Sequence, residues 1–248
     1  MTQAASNPFF SKYKTPFETP PFNKIKTEHY EPAFDEGIKQ LAQEVETIAG
    51  NPRPATFKNT IEALEYSGKL LTKVSSAFYN VLSAESNDEM MEISERISPK
   101  LSESSNNIYL NEKLFARVKA VYEQKDNLHL STEEAKLLEE TYYAFSVRGA
   151  NLSAEDKAKY RELSTELSKL TLKFDQNVLK DENRYELLLT SEDQLAGLPQ
   201  GVIDAAALKA KEKGKTGWMF TLSAPSYVPF MRYADNRELR KELYLANM

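Results

Sequence analysis

The sequence predicts a mainly α fold: a multi-helix bundle with long antiparallel helices and a small two-stranded β-ribbon near residues 185–190 and 218–222. Three observations predict it. Apolar residues recur at steps of three and four along most of the chain, which keeps them on one helix face. Capping pairs stand where such ladders begin, as in Ser131 with Glu134 and Ser153 with Asp156. The period turns strand-like only at Tyr185–Thr190 and Trp218–Leu222.

Residues 1–26 read as an extended Pro/aromatic arm. Pro8, Pro16, Pro20 and Pro21 interleave with Phe9, Phe10, Tyr13, Phe17 and Phe22. Proline removes a backbone donor and pushes its predecessor away from helix, so the arm is strapped across the domain by aromatic plugs. Residues 27–248 form the helical domain. Its first helix, about Glu28 to Ala49, carries Phe34, Ile38, Leu41, Val45 and Ile48, tolerates Pro32 in its first turn, and stops at Gly50-Asn51-Pro52. A second, about Thr56 to Leu82, places Gly68 and Ser75 in its apolar seam for close approach of a neighbour. The third, about Asp88 to Asn106, contains Pro99, which predicts a kink or a break. The fourth spans about Asn111 to Gln124, and the fifth opens at Ser131 and closes at Gly149.

The sixth helix follows Arg148-Gly149-Ala150-Asn151-Leu152 and starts at Ser153. Its ladder is Tyr160, Leu163, Leu167, Leu170, Phe174 and Val178, and the helix to Leu179 is about 40 Å long at 1.5 Å per residue. That length predicts a central post on which the other helices lean. A helix from about Pro199 to Lys213 separates the two strands. After Pro225-Ser226-Tyr227-Val228-Pro229-Phe230, a last helix opens at Asn236. No 34- or 40-residue repeat argues for a solenoid.

Composition narrows the function classes. A net charge of −5 argues against a nucleic-acid or anionic-membrane surface. Zero cysteines exclude disulfides, thiolate metal sites and a cysteine nucleophile. No apolar run approaches the ~20 residues that span a bilayer. The opening Met1-Thr-Gln-Ala-Ala-Ser lacks a signal-peptide pattern, so the expected compartment is the cytoplasm, with the periplasm as the alternative should a leader have been removed.

Chemistry-bearing patterns are sparse. The two histidines, His29 and His129, lie a hundred residues apart, and neither belongs to a His-Glu-x-x-His. There is no Gly-x-Ser-x-Gly elbow and no phosphate-cradling glycine cluster. Asn151-Leu152-Ser153 fits a glycosylation sequon, but Ser153 is better used as a helix cap. Glu139 and Glu140 read as a solvated helix face. Tyr142, Tyr143 and Phe145 read as core. The residues themselves therefore nominate no catalytic group, no metal ligand and no substrate contact.

Four stretches carry a family resemblance. The first joins Asn7-Pro8-Phe9-Phe10, Pro20-Pro21-Phe22-Asn23-Lys24-Ile25 and His29-Tyr30-Glu31-Pro32-Ala33-Phe34. The second is Pro54-Ala55-Thr56-Phe57-Lys58-Asn59-Thr60-Ile61-Glu62-Ala63-Leu64-Glu65, and the third Arg148-Gly149-Ala150-Asn151-Leu152. The fourth contains Leu195-Ala196-Gly197-Leu198-Pro199, Trp218-Met219-Phe220-Thr221-Leu222, Pro225-Ser226-Tyr227 and Asn236-Arg237-Glu238-Leu239-Arg240. In this order they resemble the N-terminal part of the zinc metallopeptidase family of thimet oligopeptidase and oligopeptidase A, its bacterial peptidyl-dipeptidase branch above all. The resemblance implies a hydrolase that removes C-terminal dipeptides from short peptides inside a deep channel. Zinc would be held by a His-Glu-x-x-His motif and a downstream glutamate.

That motif is missing from this sequence. The chain is therefore expected to be one wall of the channel, inactive alone, with its partners the short peptides and a C-terminal catalytic half. The face meant for that half is expected to be apolar and to drive self-association. The alternative reading is a free-standing helical module that binds a peptide or protein without catalysis. A third is a paralogue whose catalytic half was lost.

Overall fold

The computed structural model describes residues 7–84 and 87–248, which leaves out the first six residues of the arm. The chain divides into two compact units, Met1–Leu170 and Thr171–Met248.

In the first unit the arm is not extended throughout. It folds into short 3₁₀ turns at Pro8–Phe10 and Pro16–Glu18, because each proline stands at a position where its missing donor costs nothing. Phe9 alone of its phenylalanines is buried, whereas Phe17 is 99% exposed. Helix α1 (Tyr30–Ala49) follows a 3₁₀ turn at Thr27–His29.

The second predicted helix is broken. A π-helical turn at Phe57–Glu62 and a short α2 (Ala63–Glu65) precede α3 (Lys69–Ala84). Gly68 causes the break: it takes φ +70°, and its N–H donates to the Glu44 carboxylate at 2.7 Å. Close helix approach comes instead from Gly37 in α1, where an added Cβ would lie 3.0 Å from the Leu71 backbone.

Helix α4 (Asp88–Tyr109) runs through Pro99 unbroken; Met90, Ile93 and Ile97 are packed on the turns before it. Asn111 caps α5 (Glu112–Tyr122), accepting from the Leu114 N–H at 3.0 Å. Ser131 and Glu134 form the expected box at the start of α6 (Thr132–Val147), and Gly149 leaves it with φ +91°. Two cores result. One gathers Phe9, Tyr30, Phe34, Phe78 and Ile97; the other gathers Ile48, Ile61, Leu114, Val118 and Phe145.

Helix α7 (Ala154–Arg184) starts at the Ser153 cap and continues into the second unit, 31 residues or about 46 Å in length. It is not the post its ladder predicts. The side chains turned inward in the first unit are polar. Lys157 is buried against Glu112 at 2.9 Å, Arg161 donates to Asn107 Oδ1 at 2.7 Å, and Ser164 accepts from Asn106 Nδ2 at 2.8 Å.

The second unit holds the ribbon. Strand β1 (Leu187–Leu189) pairs antiparallel with β2 (Trp218–Phe220) in the register Leu187 with Phe220, Leu188 with Met219 and Leu189 with Trp218. Helix α8 (Gln200–Glu212) lies against β2. The proline-rich run after β2, which carries no helical prediction, is helix α9 (Ala224–Tyr233). Pro225 occupies its first turn, and Pro229 forfeits only one backbone bond. Asn236 caps α10 (Arg237–Asn247) as expected. Leu189, Phe220, Phe230 and Leu243 centre this unit's core.

Candidate functional site

The histidines are placed apart and put to local use. His29 Nδ1 accepts from the Lys26 N–H at 3.0 Å and so closes the turn before α1. His129 is exposed in the connection between α5 and α6. Among the described residues no three His, Asp or Glu side chains stand within reach of one ion. The donors these residues offer do not fit zinc.

The remaining candidates fall into ordinary structural roles. Glu139 and Glu140 share Lys136 at 3.4 and 2.7 Å on an exposed face. Phe145 is buried and Tyr142 stacks on Tyr122 with ring centres 3.9 Å apart, but Tyr143 is exposed, contrary to its reading as core. Ser153 Oγ accepts from the Asp156 N–H at 3.1 Å, as a cap should.

Two clefts in the first unit escape sequence reasoning. The larger, about 1160 Å³, lies where the arm crosses α1 and α3, with Phe9, His29, Lys39, Lys69 and Lys73 in its lining. Lys73 fixes the arm there by donating to the carbonyls of Phe9 and Ser11 at 2.9 and 2.7 Å. Burial lowers the Lys73 ammonium and pushes the Tyr13 phenol up to about 12, with Tyr30 adding a smaller rise. Both ammonium and carboxylate groups line the cleft, so its charge is mixed in sign.

The smaller cleft, about 420 Å³, is lined by Ser98, Ser102, Ser105, Ser164, Ser168 and Arg148. The signal was present in the spacing: serines four residues apart share a helix face. Arg148 lies 4.3 Å above the Tyr109 ring. Neither a histidine nor a carboxylate lines this wall, so it can hydrogen-bond a guest but activates no nucleophile.

A third feature lies on α7. Leu163, Leu167 and Leu170 are 59, 63 and 54% exposed, and Phe174 and Val178 further along are 67 and 43% exposed. The helix is inverted, its polar side inward and its apolar side open. No helix among the described residues is long and apolar enough to cross a membrane.

Nearly the whole chain is similar in sequence to part of several curated peptidases. No family model matches it. It is 40% identical to the dipeptidyl carboxypeptidase of Escherichia coli K12 over 97% of this chain and 35% of that protein. To oligopeptidase A of the same organism it is 34% identical over 94% of this chain and 34% of the relative. The organellar oligopeptidase A of Arabidopsis thaliana is 28% identical over 98% of this chain and 31% of its own length. The chain spans about a third of the length of the curated relatives it matches.

Proposed function

We propose that this chain is the N-terminal, channel-wall part of a zinc-dependent oligopeptidase that removes C-terminal dipeptides from short peptides. The observation that carries the reading is the coverage: nearly all of this chain aligns with about a third of each peptidase relative. Residues 27–248 act as a wall that limits what enters, with residues 7–26 anchored across it by Phe9 and Lys73. Zinc and its ligands belong to chain beyond these residues, as does the group that activates the attacking water.

The test is the reading frame and a pair of assays. A His-Glu-x-x-His downstream of Met248, with chelator-sensitive release of C-terminal dipeptides by the longer protein and none by these 248 residues, supports the reading. Dipeptide release by this chain alone overturns it, and so does a natural stop codon at residue 248.

A further inference from the structure

We infer, resting on the reading above, that Phe17 is an anchoring finger that seats in an apolar, aromatic-sized socket on the part of the protein beyond Met248. Three observations carry this.

The first is exposure on a fixed base. Phe17 is 99% exposed, more than any other large apolar side chain among the described residues. The arm that bears it is tied down by Phe9 in the core and by Lys73, which donates to the carbonyls of Phe9 and Ser11. A single exposed ring is ordinary on a protein surface, so the backbone beneath it decides.

The second is that backbone. Phe17 and Glu18 take φ +56° and +55°, and no other non-glycine residue among those described has a positive φ. A turn with two such residues favours Asn or Gly at both positions, and Phe is a misfit there. The turn is nevertheless held from three sides. Thr15 Oγ1 donates to the Thr19 carbonyl, Thr19 Oγ1 donates to the Pro16 carbonyl at 3.0 Å, and Lys12 pairs with Glu18 at 2.7 Å. Pro16 and Pro20 restrict the backbone on either flank. Strain of this kind persists where the surroundings over-determine it, and here it aims a ring outward. A ring on a stiffened turn loses little freedom on binding, which is what a preorganised anchor requires.

The third is coverage, which names the occupant. The 241 residues matched to the dipeptidyl carboxypeptidase of Escherichia coli are 97% of this chain, so position 17 falls inside the shared stretch. That stretch is 35% of the relative, and the arm therefore belongs to the matched part of a protein that mostly lies outside the match. A socket in the same protein meets the finger at high effective concentration, a support that a second copy or an unrelated protein lacks.

Photo-crosslinking tests this in the longer protein, with p-benzoylphenylalanine in place of Phe17. The expected cross-link joins position 17 to residues beyond Met248. Cross-links confined to residues 1–248, cross-links to a second copy, or none at all overturn the proposal. Phe17→Asn gives an independent arm, because Asn suits the left-handed backbone and a side chain this exposed gives up almost no contact in this chain. Trypsin cleavage within residues 7–26 should speed up about fivefold or more in the longer protein. In these 248 residues alone it should stay the same or slow down. Equal behaviour of the two proteins overturns the proposal. A reading frame that stops at Met248 removes the reading above and this proposal together. A frame that continues, with no cross-link to the later residues, removes the proposal alone.

Discussion

The ammonium of Lys73 lies 3.7 Å from the centre of the Tyr13 ring, sixty residues earlier in the chain. The same ammonium donates to two carbonyls of the arm, while the Tyr13 hydroxyl is buried with no partner among the described residues. These two groups should respond in opposite ways to removal. Lys73→Met should cost about 1–3 kcal/mol, read from urea midpoints, and should speed proteolysis within residues 7–26. Tyr13→Phe removes an unsatisfied hydroxyl and should leave stability unchanged or slightly raised. A Tyr13→Phe loss as large as that of Lys73→Met would show that the phenol, and not the ammonium, holds the arm.

The α1–α3 seam depends on Gly37. A Cβ there already reaches 3.0 Å from the Leu71 Cα and N, which are backbone atoms that no rotamer change can move. Gly37→Val adds two further carbons and should destabilise by about 1–3 kcal/mol through overpacking. Thermal unfolding followed by circular dichroism measures it.

In the second unit, Phe230 is fully buried with its ring centre 4.6 Å from that of Phe220 on β2. Phe230→Ala should cost about 3–5 kcal/mol, because a rigid ribbon and helix cannot collapse onto the space left. Loss of near-ultraviolet signal from Trp218, which packs against the same core, is the readout.

Glu186 stands just before β1 and accepts from Lys215 at 2.5 Å and pairs with Lys213 at 3.2 Å. Those hydrogen bonds hold its carboxyl below the usual glutamate range, the bond to Lys215 foremost. A carboxylate depressed in the folded state contributes stability that is present above the unfolded value and is lost as pH falls through the folded one. Wild type should therefore melt above Glu186→Gln at pH 7, and the gap should close below about pH 4. A gap that is constant from pH 7 to pH 3 would show that Glu186 acts by packing and not by charge.

How far the fold is legible in the sequence depends on whether the deciding interaction is local. Helix starts at Ser131, Ser153 and Asn236 are legible because a cap is satisfied within three residues. The ribbon is legible because Tyr185–Thr190 and Trp218–Leu222 differ in period from everything around them. The break at Gly68 is not legible, since glycine in an apolar seam reads equally as a close-approach site, and the deciding acceptor, Glu44, lies 24 residues away. Helix α9 is hidden by its own prolines. Of the surfaces weighed for function, the serine-lined cleft has a readable spacing in α4 and α7, whereas the arm cleft exists only because Lys73 reaches back to Phe9 and Ser11.

By itself the sequence determined that this chain is helical, where most of its helices begin, that one ribbon interrupts them, and which residues of α7 form a single apolar stripe. Only the tertiary structure decided which way that stripe faces. Periodicity records that Leu163, Leu167, Leu170 and Phe174 share a side, but it carries no sign for inside or outside. The sign was set by α4 and α5, which offer Asn106, Asn107 and Glu112 to the opposite side of the helix and claim it through hydrogen bonds and an ion pair.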